Sequence, residues 1–181
     1  MEESPFSRVI PETPKTPGWM VVVEKLIAAF FAFISIAMAV VTLMALQRTF
    51  ALDYDNETTL DKLRDFVDTY GFTTIILLLF GIAGVLLFLK RKWGWIAACT
   101  AVYVFLFWSL YNMARVYLID SRLPSAYDGF MAVYFVIFGY IIYFLNRKTI
   151  RQRYSVTKTD YLHLLYYFLF FSALRFLIFL L

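Results

Sequence analysis

The sequence predicts an all-α integral membrane protein: a four-helix transmembrane bundle of two hairpins, followed by a fifth hydrophobic helix at the C-terminus. Three observations predict it. Of 181 residues, 62% are hydrophobic and only 17% charged, a balance too apolar for a soluble domain of this length. The apolar residues fall in runs close to the roughly 20 residues that a bilayer crossing needs. Spans are expected at about 19–46, 72–89, 95–118, 129–145 and 161–181. Finally, the second and third runs are separated only by Lys90-Arg91-Lys92-Trp93-Gly94, a turn too short to do more than reverse the chain.

Residues 1–18 form a polar arm whose Pro5, Pro11, Pro14 and Pro17 exclude a helix interior. Its charges are mixed and the apolar run behind it is too long for a cleavable signal, so the arm is read as cytoplasmic and 19–181 as one transmembrane domain. In the first span Ala28, Ala32, Ser35, Ala39, Thr42 and Ala45 recur at steps of three and four. They make a seam where another helix approaches closely. Glu24, beside Lys25, reads as an interfacial charge, with a buried functional carboxylate as the alternative.

The 47–71 loop is acidic, with Asp53, Asp55, Glu57, Asp61, Asp65 and Asp68. Thr59 is expected to cap a short helix whose Leu60, Leu63, Val67 and Tyr70 share a face, an amphipathic segment suited to a membrane surface. Asn56-Glu57-Thr58 matches a glycosylation sequon. The loop lacks the glycine and terminal glutamate of a calcium loop.

Within the central hairpin, Gly81 and Gly84 permit close contact. On the third span Ala97, Ala101, Val104, Trp108, Asn112 and Arg115 share a stripe that turns from small to polar, with Ser109 beside it. Arg115 either snorkels to headgroups or lines a pocket, paired with Asp120, Asp128 or a loop carboxylate. After a short loop with Pro124 and the fourth span, residues 146–158 are basic. The last run, 161–181, is interrupted by His163, Ser172 and Arg175. Arg175 either snorkels past the end of a spanning helix or faces a partner. Cys99 is alone and His163 is the only histidine, so neither a disulfide, a metal site nor a catalytic triad is expected.

Cations set the expected orientation. Arg8, Lys15, Lys25, the Lys90 turn and the 146–158 loop carry most of them, against Arg48, Lys62, Arg64 and Arg122 in the intervening loops. The N-terminus is therefore expected in the cytoplasm, in a multi-pass protein of a bacterial inner membrane. The net charge of +4 is then attraction to an anionic leaflet, with no nucleic acid required. Phe-Leu-Lys-Arg-Lys closes the second span and Phe-Leu-Asn-Arg-Lys the fourth, while Gly-Trp opens the first and third; these echoes are compatible with a duplicated hairpin or with ordinary helix ends. The Lys-Arg-Lys-Trp-Gly-Trp turn and the Phe-Leu-Asn-Arg-Lys ending resemble a loose pattern in small bacterial four-helix membrane proteins. That resemblance covers two short stretches and implies no activity.

No nucleophile elbow, phosphate loop or zinc-protease motif occurs, so the chain is not expected to be an enzyme or to carry a cofactor. The preferred expectation is an accessory or scaffold subunit packing against another membrane protein or a second copy within the lipid bilayer. The alternative is binding, transport or sensing of a small molecule or ion through an outer-leaflet pocket near Asn112 and Arg115. Ser109, Asn112, Arg115 and Arg175 are the candidate ligand or partner contacts. If Asn112 and Arg115 face an enclosed cavity, binding gains; if they face lipid headgroups, scaffolding gains.

Overall fold

The computed structural model describes residues 16–51, 58–118 and 126–180, and every element among them is helical. The elements are α1 (Gly18–Ala51), α2 (Thr59–Phe66), a π-helical turn (Val67–Gly71), α3 (Phe72–Phe88), α4 (Lys92–Leu118), α5 (Ala126–Leu145), α6 (Lys148–Arg153) and α7 (Lys158–Leu180). Among the described residues four helices are long and apolar enough to cross a membrane: 18–51, the continuous helix 59–88, 92–115 and 158–178. The shorter apolar stretch Met131–Leu145 belongs to α5. The fifth hydrophobic segment therefore meets the length requirement, whereas the described part of the fourth falls below it. Residues 1–15 of the N-terminal arm, Asn56 and Glu57 of the sequon, Asp53, Asp55 and Asp120 lie outside the described residues.

At 34 residues, α1 is about 51 Å long by helical rise, longer than the expected 19–46. The α3–α4 turn is tighter than expected because α4 already begins at Lys92. Lys90 adopts a left-handed φ of 54°. The Lys90 amide donates to the Leu87 carbonyl and the Arg91 amide to that of Leu86, the paired bonds of a Schellman cap. Gly94, on the first turn of α4, is forced: a Cβ there would sit 2.5 Å from the backbone of Leu86 and Leu87.

Thr58, not Thr59, caps α2. Its amide donates to the Asp61 carboxylate and its hydroxyl oxygen accepts from the Asp61 amide, a reciprocal capping box. The surface-lying segment expected there is corrected too. Right-handed helical dihedrals run through Phe66, Val67, Gly71 and Phe72, so α2 continues into α3 through the π-helical turn. Leu60 and Leu63 remain exposed.

α3 lies between α1 and α4, and α7 packs on α4. The small-residue seam meets the expected glycines at one end of the bundle. A Cβ on Gly84 would lie 2.8 Å from the Ala28 carbonyl oxygen, and one on Gly81 would collide with the Ser35 hydroxyl. The seam stops there: Ala39 is exposed. Across α1, α3 and α4 lies α5, whose Phe138 ring is 6.1 Å from Phe30, 5.7 Å from Phe80 and 4.9 Å from Phe105. This aromatic cluster, with buried Phe31 against Phe80 at 5.0 Å, is the centre of the core.

Candidate functional site

The close α1–α3 contact depends on glycine, and it ends where glycine ends. Beyond Ser35 and Gly81, towards the start of α3, bulky side chains replace it, and a cavity of about 620 Å³ opens between the helices. Ile34, Ala37 and Met38 of α1, Thr73, Ile76 and Leu77 of α3, and Met131 and Tyr134 of α5 contribute walls. Phe80, Phe105 and Phe138 form its floor. Phe33 and Tyr134, both exposed, mark an opening on the side of the bundle.

The polar groups gather at the other extreme. Trp108, Ser109 and Asn112 reach the cavity from α4 and Arg175 from α7. A second, small cavity of about 40 Å³ adjoins it, lined by Trp108, Tyr111, Asn112, Arg115, Arg175 and Phe176. The structure thus brings Ser109, Asn112 and Arg175 onto one cavity wall and places Arg115 beside them. The stripe expected on α4 holds: Ala101 and Val104 are fully buried, and Trp108 and Asn112 continue it into the cavity.

Arg175 does not extend along its helix towards the C-terminus. Its guanidinium carbon lies 5.2 Å from the Phe72 ring centroid and 5.9 Å from that of Trp108, within cation–π range. Among the described residues no carboxylate pairs with Arg175, and no Asp or Glu lines either cavity. The buried Trp108 Nε1–H has no acceptor. Among the described residues the cavity is a mostly apolar space with Ser109, Asn112 and the Arg175 cation at its rim.

The opposite end of the bundle carries a separate polar cluster that spacing did not suggest. Glu24, expected at the interface, is 2% exposed. Arg153 Nε sits 2.9 Å from Glu24 Oε2, an ion pair at contact distance without hydrogen-bond alignment. The Tyr154 hydroxyl donates to Glu24 Oε1 at 2.9 Å and also lies 3.2 Å from the Leu87 carbonyl oxygen. Burial, and then the facing carboxylate, push the Tyr154 phenol above its usual range, keeping it a proton donor. The cluster ties α1, α3 and the end of α6 together. Nearby, Asp160 accepts from the Thr157 amide and hydroxyl, capping α7, and pairs with Lys92 at 2.8 Å. The Trp95 indole donates to the Leu145 carbonyl at 2.9 Å.

His163 lies at this end too, beside Trp93. Among the described residues no group of three or more His, Cys, Asp or Glu is placed to hold a metal. The lining of Phe33, Met38, Thr73 and Met131 was missed from sequence; the one available signal was methionine at three cavity positions, Met38, Met113 and Met131, a residue that adapts to irregular contents. Compared with protein-family models, with curated proteins and with solved structures, the chain matches none.

Proposed function

We propose that this is a multi-pass membrane protein that binds a small lipophilic molecule in the cleft between α1, α3, α4 and α5, as a binding or sensing protein and not an enzyme. The cleft itself carries the reading. Its volume falls within the range of small-molecule sites, and a mostly apolar wall with a few convergent polar groups is the usual composition of one. Asn112 lines this cavity and Arg115 its small neighbour, and both side chains are exposed, so the cavity wall and not these two residues supports binding. The only histidine is at the far end of the bundle from Ser109, so the cleft has no nucleophile–base pair of that kind.

Membrane placement is supported by the four apolar helices and by exteriors rich in exposed Phe33, Ile36, Leu43 and Val136, which lipid covers without cost. The cation distribution supports a cytoplasmic N-terminus, and the resemblance of two short motifs favours a bacterial inner membrane. No observation favours an accessory subunit over lipid as the cover of those apolar faces.

Filling the cleft tests the reading. Ala37 lines it and is exposed, so Ala37→Trp adds bulk without disturbing the core. Protein purified gently from its membrane should carry a lipophilic molecule, identified by mass spectrometry of the extract, and the variant should lose most of it. Identical extracts from both proteins would sink the proposal. So would an empty cleft accompanied by a stoichiometric protein partner, which would restore the accessory role.

A further inference from the structure

We infer that the cleft selects a single-chain amphiphile with an oxyanion head, held at Arg175. The inference rests on the binding reading above and adds the ligand's chemistry. Arg175 is the starting point. A guanidinium among apolar side chains is costly unless its charge is answered. Phe72 and Trp108 answer part of it through their ring faces, but among the described residues no carboxylate does. Arginine is also the side chain whose planar donors match a carboxylate or phosphate in two parallel bonds.

The neighbouring groups point the same way. Asn112 brings amide donors to both cavities that Arg175 lines, and among the described residues no Asp or Glu lines either cavity. The charge left to answer is that of Arg175, so a ligand head beside it must supply acceptors and negative charge. Everything deeper is apolar. From Phe72, under Arg175, to Phe80, at the floor, α3 rises about 12 Å, and among the described residues no charged side chain lines the cavity between them. The opening past Phe33 and Tyr134 leads to the apolar flank of the bundle, so a hydrocarbon chain enters sideways from lipid. Its head stays level with the start of α3, where Arg175 lies over Phe72. One chain fits this shape: a head at the rim, a tail on the aromatic floor, and methionines that conform to whichever bends the tail takes.

Tryptophan position supplies the test. The protein has four: Trp19, Trp93 and Trp95 stand at the start of α1 and α4, at the end remote from the cleft, and only Trp108 lines it. The full chain in discs of zwitterionic phosphatidylcholine would be titrated with dibromostearate, with a brominated lysophosphatidate, and with methyl dibromostearate, whose head is uncharged. Bromine quenches adjacent indole. Saturable quenching by at least one anion is expected, with the ester about tenfold weaker or more, the size of a charge-assisted hydrogen bond. The stronger anion names the head as carboxylate or phosphate. Arg175→Gln should erase the difference, and Arg175→Lys should keep part of it.

Equal binding of acid and ester by the unaltered protein would overturn the charge selection while leaving the cleft a binding site. That comparison needs no variant. Absence of saturable quenching by all three ligands, or quenching that persists fully in Trp108→Phe, would overturn both the ligand class and the cleft itself. Bulk phospholipid phosphate is in large excess throughout, so an arginine that merely reaches headgroups gives no anion preference.

Discussion

Glu24 shows what a single residue can demand of the rest of the chain. A carboxylate one turn inside an apolar helix is expensive to bury, and it persists because Arg153 and Tyr154 face it. Removing one partner of a buried pair leaves the other charge uncompensated, which costs more than the pair itself contributes. Glu24→Ala should therefore lower stability by roughly 3 kcal/mol or more, whereas Tyr154→Phe, which removes one neutral donor, should cost about 1–2 kcal/mol. Thermal unfolding in a mild detergent compares them. Equal losses would mean that the ion pair adds nothing. Sequence showed that Glu24 was unusual but not what it met, because Tyr154 lies 130 positions away and no periodicity links them. Asn112 was easier: it shares a helix with Trp108, and a four-residue step puts both on one face. Arg175 joins them from another helix, and only the packed structure brings it there.

At the scale of elements, small residues decide where helices touch and where they part. Ala28 and Ala32 with Gly84 bring α1 and α3 together, and the space between bulky Ile34, Ile76 and Leu77 becomes the cleft. Gly84→Ala should therefore be strongly destabilising, by roughly 2 kcal/mol or more as an overpacked contact, because the atoms it meets are backbone. Gly139→Ala is the control. A Cβ there meets nothing within 4 Å, so it should be neutral or stabilising by up to about 1 kcal/mol through helix propensity. Matching melting temperatures for the two variants would contradict the close approach. Part of this level was legible: the Ala28, Ala32 and Ser35 half of the seam, both glycines and four of the apolar segments are readable from spacing. Three features were not. The cap shifted from Thr59 to Thr58, α2 ran on into α3 where a surface helix was expected, and Gly94 served contact with Leu86 in place of a loose turn. Each depends on where backbone from another turn or helix ends up, which residue type alone does not report.

At the scale of the whole molecule, the number of crossings decides which side the C-terminus faces. Helix α7 is 23 residues long, with Asp160 in its first turn paired to Lys92 of the α3–α4 hairpin. Its start is thereby pinned to the Lys90 end of the bundle, while Arg175, near its other end, lies over Phe72 at the first residue of α3. Those two contacts lie at opposite ends of α3, so α7 runs the full length of α3. A helix of that length and apolarity, held at both ends, has the dimensions of a membrane crossing. We therefore predict that position 181 and Arg48 are on one side of the membrane and Lys90 on the other. Cys99, the only cysteine, is completely buried, so single replacements Arg48→Cys, Lys90→Cys and Leu181→Cys can be labelled against a silent background. In sealed cells a membrane-impermeant maleimide should modify the first and third, and Lys90→Cys only after the membrane is opened. If Leu181→Cys instead labels with Lys90→Cys, α7 does not cross, and Arg175 sits at the wrong level to hold an anion at the rim of the cleft.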